Sequence, residues 1–495
     1  MMNTVSPERA GIRSAHVRTL VSSLQKRKIH MHSLLLMRGE DVFLDCYWAP
    51  FEANRPHRMY SVTKSFVSVA IGLAEEDGLI NLDAPIASYF PDKIDSPLPP
   101  ALQAQTVRQM LTMTTVGKPE VSWFRAGDPD RTHLYFSNRQ EPLRPAGTVW
   151  EYDSAGSQVL CALVERVTGQ SLFDFLNQRI FQKLNAFQNA TVLKTPNGDS
   201  WGDSAMICTP RDMATFARFV MNYGTWHGER LMNEAYLRTA TTRQVHNATA
   251  IHDVPYYHGY GYQFWITEQN GFAFVGMADQ LAVCLPEKDL IMVCTADNQG
   301  SPFARSYILA QLMDLIADNL EDAPPEEDPA EFCALEELTA SLQLPAASGE
   351  IDSPWRENLN QATYRCLENP LGWESFALRF ADAGNGVLTY QKKGEAHALP
   401  FSVNQNRFTE FPEDGYSHLV GGIPSTDGYR YDCAVSAAWL QENKLQLCVQ
   451  IIDIYFGNLS LVFSFVGEDA VVTAVKNAEY FLMDYNGTVI AKRES

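Results

Sequence analysis

The sequence predicts an α/β protein of the α+β kind: an antiparallel sheet flanked by helices with a helical subdomain, followed by an antiparallel β-barrel or sandwich. Three observations carry this. Two early strands and four late ones bracket a largely helical middle within the first 320 residues. The acidic, proline-rich stretch Glu321-Asp322-Ala323-Pro324-Pro325-Glu326-Glu327-Asp328-Pro329 then shifts the composition. Beyond about Thr363 the chain is nearly all short apolar runs separated by Gly, Asn and Asp turns. The expected organisation is a domain over 1–320, a linker over 321–335 and a β-rich domain over 336–495.

Taken in order, residues 14–28 have helical periodicity, and Met31 to Met37 and Val42 to Tyr47 read as a hairpin around Arg38-Gly39-Glu40-Asp41. His30 and His32 alternate on one strand side, but without an acidic or cysteine partner at ligand spacing they read as a partly exposed strand rather than a metal pair. A helix follows from Ser61, another is expected over Thr106 to Thr114, and a long irregular segment from Gly117 to Arg131 includes Trp123 and Phe124, candidates to line a cleft. A helix from Val159 to Val167 closes at Gly169. Tyr260 to Ile266, Phe272 to Val275, Leu281 to Leu285 and Ile291 to Thr295 are the returning strands, and Tyr307 to Ile316 closes the region as a helix. In the last third, strands are expected at Phe376 to Phe380, Val387 to Tyr390, Phe408 to Phe411, Cys433 to Trp439, Leu445 to Ile452 and Leu459 to Phe465, with a short helix over Ala478 to Tyr485.

Composition narrows the function. The chain has 495 residues, 45% hydrophobic and 20% charged, which suits a globular protein able to bury a deep site. A formal charge of −20 and no basic stripe argue against a nucleic-acid partner. No run of about 18 apolar residues suggests a membrane span. Met1 to Ile12 lacks the apolar core of a signal peptide. Nine singly scattered cysteines, without C-x-x-C pairs, predict reduced thiols and a cytoplasmic location.

The chemistry centres on Tyr60-Ser61-Val62-Thr63-Lys64-Ser65-Phe66. The run from Phe66 to Ala74 is apolar on almost every side, so its helix is expected to be buried, and polar residues there need a reason. Ser61 and Lys64 stand three residues apart, about one helical turn or roughly 4.5 Å of rise, so their side chains can touch. A serine hydroxyl becomes a nucleophile when a neighbouring base takes its proton, and burial weakens a lysine's hold on its own. The first helical turn adds free N–H groups, and the Ser61 N–H is a candidate half of an oxyanion hole. The alternative is an ordinary N-cap serine. The same spacing at Ser23-Leu24-Gln25-Lys26 lies on a solvated helix and carries no such expectation. Tyr152, in the loop ending Tyr152-Asp153-Ser154, is a candidate base or proton relay beside an ammonium.

Together with Leu79-Ile80-Asn81-Leu82-Asp83, Thr106 to Thr114, Pro145-Ala146-Gly147-Thr148, Thr209-Pro210-Arg211-Asp212-Met213-Ala214 and Gly259-Tyr260-Gly261-Tyr262, these residues resemble the serine β-lactamase and penicillin-binding-protein-like hydrolases. The likeness is greatest to the class C-like branch with esterases, D-aminopeptidases and 6-aminohexanoate-dimer hydrolases. The resemblance implies Ser61 as nucleophile, Lys64 as proton acceptor or electrostatic partner and Tyr152 as second base, with no metal or organic cofactor. Two departures stand out. The family's Y-x-N ends here in Ser154, which has no amide. The third motif, commonly K-T-G, aligns with Phe274-Val275-Gly276 on the strength of Gly276, Gln280 and the following hairpin. Gly276 would admit substrate, the Met277 N–H would be the second oxyanion donor, and Phe274 in place of lysine would favour neutral acyl groups over carboxylates. The function expected is hydrolysis of a small neutral ester or amide through an acyl-enzyme. A degenerate relative that only binds acyl or peptide ligands is the alternative, and a cell-wall D,D-peptidase is disfavoured by the absent export signal. Related D-aminopeptidases use strand-rich C-terminal domains to limit access, which suggests that role here.

Overall fold

The computed structural model of the protein describes residues 3–117, 129–139, 143–247, 257–415, 429–478, 482 and 484–494. They divide into two units, one running to Gln343 and one from Leu344 onward. Trp123 and Phe124 lie outside the described residues.

The first unit is built on an eight-stranded sheet whose order joins both ends of its sequence: Asn3–Thr4, Asp41–Tyr47, Met31–Arg38, Leu290–Ala296, Gln280–Leu285, Phe272–Gly276, Trp265–Thr267 and Tyr257–Tyr260. Every pairing is antiparallel except that of the short edge strand Asn3–Thr4. Its register sets Leu36 opposite Leu44 on one side and Met292 on the other. The central strands are buried on both faces, which is why they read as continuous apolar runs rather than alternating ones. The helix Pro210–Met221 packs on three of them. It starts at a capping box between Thr209 and Asp212, with Pro210 at its first position.

The Ser61 helix, Thr63–Glu76, is buried at every residue from Thr63 to Ala74 and packs against Ser154–Thr168. Phe66 stacks on Phe216 at 4.1 Å between ring centroids and meets Phe181 and Phe187 edge-on, so one aromatic cluster joins this helix to Pro210–Met221. The helix Ser154–Thr168 closes at Gly169, whose φ of 67° suits glycine.

Two local expectations change. Tyr260 to Ile266 is not one strand but a turn between Tyr257–Tyr260 and Trp265–Thr267, because Gly261 sits so close to Ala240 that a Cβ would come 2.0 Å from its carbonyl oxygen. The expected helix over Thr106 to Thr114 shrinks to Val107–Leu111, ended by Met113 at positive φ. The boundary between units also lies past the expected 321–335 linker. Asp328 caps a helix, Pro329–Ala340, that packs on Ser14–Lys26, with Glu331 bound by Arg18 at 2.8 Å.

In the second unit nine strands close into a barrel. Tyr364–Cys366, Trp373–Phe380, Asn385–Lys392 and Glu395–Val403 run one way round from Gly487–Arg493, and Asp469–Ala478, Phe456–Val466, Lys444–Ile452 and Asp432–Gln441 the other. Ser402 beside Ser436 and Val403 beside Ala437 shut the ring in a parallel pairing, while Arg407–Glu410 adds a tenth strand outside it. Leu445, Leu447, Val449 and Ile451 point inward between less buried neighbours, the alternation a small barrel requires. A strand runs to Ala478 where a helix was expected to begin, and residues 479–481 and 483 lie outside the described residues.

Candidate active site

Ser61 stands just before the helix Thr63–Glu76, at a turn fixed by Tyr60, whose φ of 47° is unusual for a bulky residue. The Tyr60 carbonyl accepts from the Thr63 N–H at 2.9 Å and its hydroxyl at 2.6 Å, which holds the turn open to the helix. Lys64 Nζ lies 2.8 Å from Ser61 Oγ, so the spacing does bring the pair into hydrogen-bond contact. Lys64 is only 2% exposed.

Among the described residues, the second hydrogen bond of the Lys64 amine goes to the backbone carbonyl of Asp203 at 2.7 Å. The Asp203 carboxylate is 4.0 Å from the same nitrogen. Ser154 is not a partner of Lys64. It opens the helix Ser154–Thr168, while its neighbour Asp153 caps that helix through the Gly156 N–H at 3.0 Å. The other Asp153 oxygen takes Thr115 Oγ1 at 3.0 Å and Arg139 Nη2 at 3.2 Å in a buried cluster.

Tyr152 presents its ring to Lys64, whose Nζ is 5.0 Å from the ring centroid. Its backbone is set by the Glu151 N–H bonding to Met113 and by the Gly147 N–H bonding to Thr114 at 2.7 Å. Trp265 stacks on Tyr152 at 5.9 Å, and Trp150 and Tyr260 complete an aromatic group on that side of the lysine. Burial raises the Tyr260 phenol well above its ordinary value, with Tyr152 adding to the effect.

The strand Phe272–Gly276 ends against the segment that carries Ser61. A Cβ on Gly276 would come 2.4 Å from the Met59 carbonyl oxygen, so only glycine allows this approach. Met277, Ala278 and Asp279 then turn the chain, with Ala278 and Asp279 at φ of 62° and 72°. Gln280 is fully buried and holds this turn: its Nε2 donates to Met277 O at 2.9 Å and to Ala296 O at 2.7 Å. Its expected place among substrate contacts is therefore replaced by a scaffold task. Arg305 Nε and Asn298 Nδ2 secure the Asp279 carboxylate at 2.7 and 3.0 Å.

Phe274 is a correction of larger consequence. Its ring is buried among Phe216, Phe264 and Phe272, on the core side of the sheet, so it does not occupy the place of a substrate-facing lysine. His32 also differs from expectation, being buried and paired with His57 at 2.8 Å between Nδ1 and Nε2. Ser23 of the second S-x-x-K bonds only its own helix, at Leu20 O.

Asp203 was missed by sequence reasoning. It follows Trp201 and Gly202, shortly before the Thr209-Pro210-Arg211-Asp212 motif, and a lone Asp in a polar loop gives no sign of its distant partner. Burial pushes its carboxyl above the ordinary range, against the opposing pull of Lys64, Arg131, Trp201 and Arg58. Among the described residues no cluster of three or more His, Cys, Asp or Glu could hold a metal, and no helix is long and apolar enough to cross a membrane.

A model of the beta-lactamase family matches residues 17–313. The 6-aminohexanoate-dimer hydrolase of Paenarthrobacter ureafaciens is 25% identical over 286 residues, covering 53% of this chain and 71% of that protein. Penicillin-binding protein 4* of Bacillus subtilis (strain 168) is 24% identical over 184 residues, 34% of this chain and 39% of its own. Among solved structures, a penicillin-binding protein homologue from Caulobacter crescentus matches with a TM-score of 0.50 at 16% identity, over 62% of this chain and 98% of that one. The structure of SurE matches with a TM-score of 0.50 at 17% identity, over 83% and 98%. At these identities the structural likeness is one of fold.

Proposed function

Because this chain belongs to the beta-lactamase family and is a serine hydrolase, we propose that it cleaves a small neutral ester or amide through an acyl-enzyme on Ser61. The observation that carries this reading is the 2.8 Å contact between Lys64 Nζ and Ser61 Oγ at a buried helix start. In the proposed cycle Ser61 Oγ bonds to the substrate carbonyl carbon while its proton passes to Lys64. The Ser61 and Met277 N–H groups receive the oxyanion. The proton then moves by way of Tyr152 to the leaving alcohol or amine as the carbonyl re-forms. Water, deprotonated by the same pair, attacks the acyl carbon and releases the acid and free Ser61.

The preference for neutral groups rests on the half-buried rings of Tyr152 and Trp265, stacked on each other where Tyr152 faces Lys64. Such rings favour apolar contact, worth about 25 cal/mol per Å² buried, over a carboxylate. A pure binding protein would have no use for a serine held against a buried amine. A fluorophosphonate probe should label the peptide containing Ser61, and Ser61→Ala should abolish labelling and turnover with the fold intact. Labelling that survives the substitution would sink the proposal.

A further inference from the structure

Resting on the acyl-enzyme reading, we infer that Asp203 is a positioning residue for Lys64, taking over with its carbonyl and carboxylate the hold that Ser154 does not supply. Its carbonyl, 2.7 Å from Nζ, directs the amine toward Ser61, and its carboxylate, 4.0 Å away, supplies charge without a direct hydrogen bond. Both side chains are almost fully buried, at 2% and 3% exposure, where a charge acts with little solvent screening. The carboxylate is embedded rather than incidental. Arg58 lies over the rings of Tyr60 and Trp201, and Arg131 over that of Trp201, so two buried cations and an indole surround the loop that presents Asp203. Arg58 Nε donates to Ser204 O at 3.1 Å, fixing the next residue as well.

The consequence is functional because Lys64 must first accept a proton and later give it up. An ionised Asp203 favours the ammonium form, and Arg58 and Arg131 temper that effect. The groups facing the pair are Ser61 on the lysine's own segment, Tyr152 before the helix Ser154–Thr168, and Arg58 and Arg131 around Asp203. Asp203→Asn keeps the carbonyl and the side-chain shape and removes only the charge.

The test is the pH dependence of kcat/KM for a p-nitrophenyl ester from about pH 5 to about pH 10, in wild type, Asp203→Asn and Asp203→Ser. Fluorophosphonate labelling of Ser61 is followed in the same samples. Lys64 should lose its proton more readily without the neighbouring negative charge, so the acid limb should move to lower pH by about one unit or more. An unmoved limb, or one displaced to higher pH, in a folded and labelled variant overturns the inference. So does failure of both variants to fold, because a purely structural carboxylate would account for that. If wild type itself is unlabelled at Ser61, the acyl-enzyme reading falls first and takes this inference with it.

Discussion

Lys64 and Tyr152 illustrate how far single residues can be read. The proton path proposed through Lys64 and Tyr152, whose ring lies 5.0 Å from the Lys64 nitrogen, predicts that Lys64→Ala and Tyr152→Phe, which removes the hydroxyl and keeps the ring, each lower kcat by about a hundredfold or more. The double variant should lose far less than the product, since groups serving one proton path are not additive. Multiplicative losses would contradict a shared path. The Ser61–Lys64 pair was legible because helical spacing alone brings the two together. Asp203 was not, for its contact with Lys64 spans 139 residues of sequence. Phe274 misled for a different reason. On a strand apolar at every position nothing marks which face each side chain takes, so the ring assigned to the substrate belongs to the core.

At the scale of elements, Asp153 joins a helix cap to a buried ion pair with Arg139. Asp153→Ala should lower stability by about 3 to 5 kcal/mol in urea unfolding, because it takes from the buried Arg139 the carboxylate that it is paired with. Asp153→Asn, which keeps a capping oxygen, should cost less. A second expectation comes from the strand beginning at His57, where burial holds the imidazole down to about 3 and His32 lower than usual. The unfolded chain then binds protons that the folded chain refuses. Stability is present above about pH 6.5 and lost as pH falls toward 3, and His57→Gln should flatten that slope. A slope unchanged in the variant would assign acid sensitivity elsewhere. Helix ends such as Gly169 were readable from composition. The turn at Gly261 was not, since it depends on the Ala240 carbonyl, which only the tertiary fold brings near.

For the whole molecule, the composition change announced a second unit, but the boundary needed the fold. The charged segment that reads as a linker supplies Asp328 as a cap and Glu331 as a partner for Arg18, so the first unit continues to Gln343. Barrel and sandwich were equally legible because the ring depends on pairings between strands that are not neighbours in sequence, Tyr364 with Arg493 and Ser402 with Ser436. A chain ended after Gln343 should fold with a cooperative thermal transition, whereas one ended near Glu331 should melt lower because its last helix is cut. If the second unit limits access, the longer truncation should also hydrolyse bulkier acyl esters than the full chain. An unchanged ester profile would assign the barrel another role. The central claim, that hydrolysis passes through an ester on Ser61, is tested most directly by rapid-quench mass spectrometry of the full chain with p-nitrophenyl acetate. One acetyl group on the peptide containing Ser61, formed during a burst of p-nitrophenol release and absent from Ser61→Ala, is the predicted result. Sustained turnover with no acyl group on Ser61, or an undiminished burst in Ser61→Ala, would contradict it.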